Sequence, residues 1–165
     1  MDEDIRPLYQ LTSLDISSNR LITPDGIITL TNLTNLTLRE CHKVTGNGIS
    51  LLLNLTSLNL INFTPVVQSG SMVLLTKLRI LKLCDNRLIG DKDLRPLVNL
   101  TALNLNSNDT ISDDGISHLT NLTQLEVINN RKITDNVLSR LVNLTEMPKR
   151  FVKSFRLFLN GEANL

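Results

Sequence analysis

The chain has 165 residues, 41% of them hydrophobic and only 3% aromatic, and 17 basic against 16 acidic side chains leave a net charge of +1. That balance excludes bulk electrostatic attraction to nucleic acid or an anionic membrane. Cys41 and Cys84 are too few, and too dissimilar in sequence context, for a disulfide framework. The start MDEDIRPLYQL is acidic where a secretory leader is basic, and no apolar run reaches bilayer length, so the expectation is a soluble intracellular protein.

Residues 1 to 10 look like a cap but align with later sequence. Asp4-Ile5-Arg6-Pro7-Leu8 reads against Asp93-Leu94-Arg95-Pro96-Leu97, so the chain opens in the second half of a repeat. A segment of a longer solenoid is the preferred reading, because a terminal repeat needs a polar cap. A short solenoid whose cap is Asp2, Glu3 and Asp4 is the alternative.

Repeats start at Leu11, Leu33, Leu55, Leu78, Leu100 and Leu122, with a truncated start at Leu144. The period is 22 residues, stretched to 23 between Leu55 and Leu78. Self-similarity at a fixed period of this size marks a solenoid. Within each unit, pairs such as Leu14 and Ile16, Leu36 and Leu38, or Leu103 and Leu105 alternate as a half-buried strand does. Stacked in register, these strands form a parallel sheet along one face.

Next comes a position filled by Asn19, Cys41, Phe63, Asn86, Asn108 and Asn130. A buried amide there bonds the backbone of its own turn and of its neighbour. Cys41 substitutes as a small buried residue with a weak donor. Phe63 has no side-chain donor or acceptor, and it falls in the lengthened repeat, whose segment 64–71 loses the pattern. Thr23, Thr45, Ser112 and Thr134 then signal helix starts, followed by Pro24-Asp25, Asp113-Asp114 or Asp135, acidic groups favoured by a first helical turn. Ile27 with Leu30, Ile49 with Leu52, Leu94 with Leu97, Ile116 with Leu119, and Leu138 with Leu141 give an apolar i, i+3 stripe. The predicted fold is an α/β solenoid, with parallel strands on the concave face and short helices on the convex face.

The pattern breaks after Met147, which divides the chain into a solenoid over 1–147 (a half repeat, six full repeats and the start of a seventh) and a tail over 148–165. The tail carries Lys149, Arg150, Lys153 and Arg156 against Glu162, a charge of +3 that leaves the body at −2. Phe151, Phe155 and Phe158 line one helical face. A cap over the last repeat is expected, and an amphipathic helix contacting a membrane or partner is the alternative.

The block L-x-x-L-x-L-x-x-N/C, at Leu11 to Asn19, Leu33 to Cys41, Leu78 to Asn86, Leu100 to Asn108 and Leu122 to Asn130, resembles the leucine-rich repeat family. The second half, as in Ile111-Ser112-Asp113-Asp114-Gly115-Ile116, is similar to the cysteine-containing subfamily and to bacterial GALA-type repeats. The resemblance implies a horseshoe arc that binds a protein on its concave face and catalyses nothing. It also implies two alternatives, the substrate-recognition arm of a ubiquitin-ligase-type complex and a pathogen effector or adhesin. Cys occupies the Asn position only at 41, and no F-box-like segment precedes Leu11, so the ligase role rests on analogy. The expected compartment is the cytoplasm, with secretion as a pathogen effector the alternative.

The outward residues of the concave face are then the candidate site. Between the paired leucines lie Asp15, Thr37, Asn59, Lys82, Asn104 and Glu126; just after them lie Ser17, Arg39, Ile61, Cys84, Asn106 and Ile128. Arg39, Asn59, Ile61, Lys82 and Cys84 form the most ligand-like cluster, extended by Asn106 and Ile128. None is aromatic, which argues against very tight binding. Catalysis, metal and cofactor find no support, because His42 and His118 occupy different repeat positions without a triad or ligand partner at suitable spacing. Eight N-x-T sequons occur, most of them the repeat's own N-L-T junction, and the repeat register explains them without glycosylation.

Overall fold

The computed structural model describes residues 1–62 and 70–145. Six three-residue strands form one parallel sheet in sequence order: β1 (Ser13–Asp15), β2 (Asn35–Thr37), β3 (Ser57–Asn59), β4 (Ile80–Lys82), β5 (Ala102–Asn104) and β6 (Gln124–Glu126). Leu14, Leu36, Leu58, Leu81, Leu103 and Leu125 stand opposite one another in register. Partners are 22 residues apart except across β3–β4, where Ser57 pairs with Ile80, so the extra residue of the third repeat is absorbed outside the ladder. Phe63 and most of the pattern-breaking segment after it lie outside the described residues, as does the tail with Phe151, Phe155 and Phe158.

The helices are single turns: α1 (Asp2–Ile5), α2 (Pro24–Ile27), α3 (Gly46–Ile49), α4 (Asp91–Leu94), α5 (Asp113–Ile116) and α6 (Asp135–Leu138). One turn suffices because stacking stabilises it, where an isolated helix of this length would not form. Each presents an apolar residue inward, so that Ile27, Ile49, Leu94 and Ile116 join the leucines of the strands in one continuous buried core. The α1 turn before β1 occupies the helical place of a repeat. Strands line the concave side and helical turns the convex side.

Directly after each strand and its following residues, the chain turns sharply at one left-handed residue. Ser18, Glu40, Asn62, Asp85, Ser107 and Asn129 all have φ between 52° and 59°. The turn aims a backbone N–H at the next unit: Ser18 donates to Arg39 O (2.7 Å), Asp85 to Asn106 O (3.0 Å) and Ser107 to Ile128 O (2.7 Å). The bonds gained between repeats offset a conformation that L-residues ordinarily avoid.

Three side-chain ladders complete the stitching. Asn19, Asn86, Asn108 and Asn130 each accept two backbone N–H groups through Oδ1, from the residues two and three places on. Asn108 Nδ2 also reaches back to Asn86 O at 2.7 Å, and the Cys41 thiol reaches back to Ile16 O at 3.0 Å. In the second ladder, Asn32, Asn54, Asn99, Asn121 and Asn143 donate to Tyr9, Thr31, Thr76, Val98 and Thr120 carbonyls of the preceding repeat. The side-chain nitrogens of these five sequons are therefore donors within the solenoid.

The third ladder gives the helix-start acids a more specific role than the helix-terminus charge predicted for them. Asp2 accepts from the N–H and hydroxyl of Thr23, Asp91 from those of Ser112, and Asp113 from those of Thr134. Each carboxylate thus holds the N-cap of the following helix, one repeat away. The hydroxyls of Thr23 and Ser112 are turned to the neighbour and make no cap bond of their own, while Thr134 does both.

Candidate concave binding face

Strand register fixes which side chains share the open face of the sheet. Asp15, Thr37, Asn59, Lys82, Asn104 and Glu126 form one continuous row. Two residues further on, Ser17, Arg39, Ile61, Cys84, Asn106 and Ile128 form a second, aligned by the backbone bonds of the left-handed turns. A third row precedes the leucines: Ser13, Asn35, Ser57, Ile80, Ala102 and Gln124. Sequence reasoning left that row out, although the signal was present, since two-residue alternation turns the residue before each inward leucine outward. It contributes Ile80, 39% exposed.

The face divides into zones by what its polar groups already do. At β1, Asp15 Oδ1 accepts both the N–H and the hydroxyl of Ser17, which holds the Asp15 carboxyl below its ordinary range, with help from the Arg39 charge. At β5–β6, Glu126 Oε2 accepts from Asn104 Nδ2 (2.9 Å) and Asn106 Nδ2 (2.8 Å), while Asn106 Oδ1 takes the N–H of Ile128 at 2.7 Å. Both ends of the Asn106 amide are committed inside the protein. Asn59 and Asn104 each accept the N–H two residues on, closing the strand end.

Between these zones, on β2–β4, lie Arg39, Ile61, Ile80, Lys82 and Cys84. Neither Arg39 nor Lys82 makes a side-chain hydrogen bond or ion pair among the described residues; the two ion pairs found there are at the N-terminal end, Met1 with Asp4 and Arg6 with Asp25. Ile61 and Cys84 are partly exposed and Arg39 and Lys82 exposed. Burial, followed by the Asp85 carboxylate that accepts from its thiol, pushes Cys84 up to about 11. At neutral pH it is a neutral contact surface and not a nucleophile. Cys41, on the inner side, is fully buried and is pushed up chiefly by that burial.

Beyond the left-handed turns, Asp85, Arg87, Asp109, Ile128 and Arg131 line a shallow open depression at the rim of the last repeats. Among the described residues no group of His, Cys, Asp or Glu is placed to hold a metal ion, and no helix is long and apolar enough to cross a membrane. His42 and His118 stand apart, and His118 Nε2 lies 3.3 Å from Leu94 O in the neighbouring repeat.

A family model described as leucine-rich repeat matches residues 11–30 and 97–119. Among solved structures, an internalin from Listeria monocytogenes superposes with a TM-score of 0.69 and 26% identity, over 87% of this chain and 46% of that one. A chain from the Toll–Spatzle complex of Drosophila superposes with a TM-score of 0.71 and 20% identity, over 87% of this chain and 20% of that one, a likeness of fold alone. This chain therefore spans less than half the length of either. No curated protein matches the sequence. An in-register parallel sheet, an Asn ladder at the expected positions and two units matched by the leucine-rich repeat model give this chain the leucine-rich-repeat solenoid fold.

Proposed function

We propose that this chain is a non-catalytic protein-interaction module that binds a protein partner on its concave sheet face. Leucine-rich repeats are generally binding modules, and one fold neighbour is a chain in a complex of two proteins, Toll with Spatzle. The observation that carries the reading is the zoning of the face. At the two ends the acids and asparagines Asp15, Asn104, Asn106 and Glu126 are bonded internally, whereas the cations Arg39 and Lys82 on β2–β4 hold uncommitted donors beside Ile61 and Ile80. A rigid scaffold with open donors next to partly exposed apolar groups fits recognition, and the short rigid strands keep the entropic cost of binding low. The compartment in which it works is expected to be the cytoplasm.

Affinity purification with mass spectrometry tests this, comparing wild type with the Arg39→Ala/Lys82→Glu double variant. Both side chains are exposed, so the variant keeps its melting temperature. Proteins retained by wild type and lost by the variant support the assignment. An identical set of retained proteins contradicts it.

A further inference from the structure

Resting on the concave-face reading, we infer that the partner presents an acidic segment in which two carboxylates bracket an apolar side chain, lying across β2–β4. Five residues place it. Arg39 is the outward residue after β2 and Lys82 the last, outward residue of β4, two strands apart. Two strand spacings of ~4.8 Å and two residue rises of ~3.3 Å put their Cα atoms roughly 12 Å apart on the diagonal. Ile61 occupies the intervening repeat, and Ile80 and Cys84 flank Lys82 two residues to either side on the outward face. Ile61, beside Asn59, thus lies between the two cations.

The acids nearest this zone do not complete it. Glu40 accepts from Ser18 Oγ at 3.2 Å and Asp85 from the Cys84 thiol at 3.3 Å, both on the left-handed turns at the rim. Asp15 is held by Ser17, and Glu126 by two asparagine amides. Within the sheet rows of β2–β4 the remaining outward residues, Asn35, Thr37, Ser57 and Asn59, are neutral. With Asp15 acting on Arg39 only through its charge, the guanidinium and the ammonium keep N–H donors open to an outside partner, and carboxylates give strong, charge-assisted hydrogen bonds. In an extended chain, residues four apart lie ~13 Å from one another on the same side, with the residue midway between them facing that side too, which matches the cation spacing. A nucleic acid fits less well, because two cations interleaved with isoleucines offer few phosphate contacts.

Panning the whole chain against a library of displayed random 12-residue peptides tests the assignment, followed by titration of a synthetic peptide from the enriched pool. Enriched peptides carry Asp or Glu four residues apart around a central apolar residue, and binding falls at least about tenfold on Arg39→Ala/Lys82→Glu. Replacing one acid of the peptide with Lys restores binding to Lys82→Glu while weakening it to wild type. Enriched peptides without the acid pair whose binding is lost on Ile61→Ala overturn the acidic partner and leave the concave face standing. Enriched peptides that bind the double variant as well as wild type overturn both, and an unenriched pool overturns the acidic segment.

Discussion

Two junctions between repeats show how differently the same architecture is held. Where the fourth repeat meets the fifth, every polar ladder is present: Asp91 holds the N–H and hydroxyl of Ser112, Asn108 reaches back to Asn86 O, and Asn121 bonds Val98 O. Gly115 lets α5 approach Asp91 on α4 so closely that a Cβ would collide with it. Where the third repeat meets the fourth, no helical turn lies between β3 and β4 among the described residues. There α4 carries Asp93 in the place of that glycine, buried with 3% exposure. Its carboxylate reaches across to Gly70 N (2.7 Å) and back to its own cap at Gly90 N (3.0 Å). A regular junction is stitched forward by an acid at the first position of the helix. The irregular one is stitched backward by an acid at the third position of α4. At this junction one buried carboxylate ties the preceding repeat and the cap of α4 together.

Five substitutions sharpen this contrast. Asn108→Ala strands the N–H groups of Thr110 and Ile111 and the carbonyl of Asn86 inside a fully buried site, and should cost about 3 kcal/mol. The same change at Asn130, whose Nδ2 has no partner among the described residues, should cost less. Urea denaturation of the two variants measures the difference. Asp93→Ala removes the acceptor of two N–H groups and should cost about 2 kcal/mol. Hydrogen exchange should show the loosening confined to the third–fourth junction. Next is Gly48→Ala, whose Cβ would lie 2.9 Å from the Pro24 Cα on α2, backbone that has little freedom to move. A loss of about 1–2 kcal/mol is expected, against no measurable change for Gly90→Ala, where the space is open.

The smallest expected effect is a pH dependence at the first stitch. The Thr23 hydroxyl and N–H hold the Asp2 carboxyl below its ordinary value near 3.8. The contribution is therefore complete above that value and is lost as pH falls through the depressed one in the folded chain. Protection of the Thr23 amide from exchange should decline at acid pH in wild type, and Asp2→Asn should flatten that decline.

The repeat was legible because its two periods are carried by apolar residues: alternation in Leu103 and Leu105, and i, i+3 spacing in Ile116 and Leu119. The Asn positions were legible because a bend leaves backbone groups that only a buried amide or thiol can meet. The role of Asp2, Asp91 and Asp113 was not, since the local preference of acids for helix starts already accounts for them and hides a partner 21 residues away. The commitment of Asn106 to Glu126 and Ile128 was equally hidden, because it depends on where side chains turn across strands. For the same reason the uncommitted state of Arg39 and Lys82, on which the functional reading depends, emerges only once the neighbouring acids are accounted for.

The central claim is that the middle of the concave sheet, and neither its ends nor the helical side, meets the partner. Hydrogen–deuterium exchange of the chain with and without a partner recovered by affinity purification measures this directly. Slowed exchange concentrated in residues 35–40, 57–62 and 80–85 is the predicted result. Slowing confined to the helical turns at residues 46–49, 91–94 and 113–116, with those segments unchanged, would contradict it.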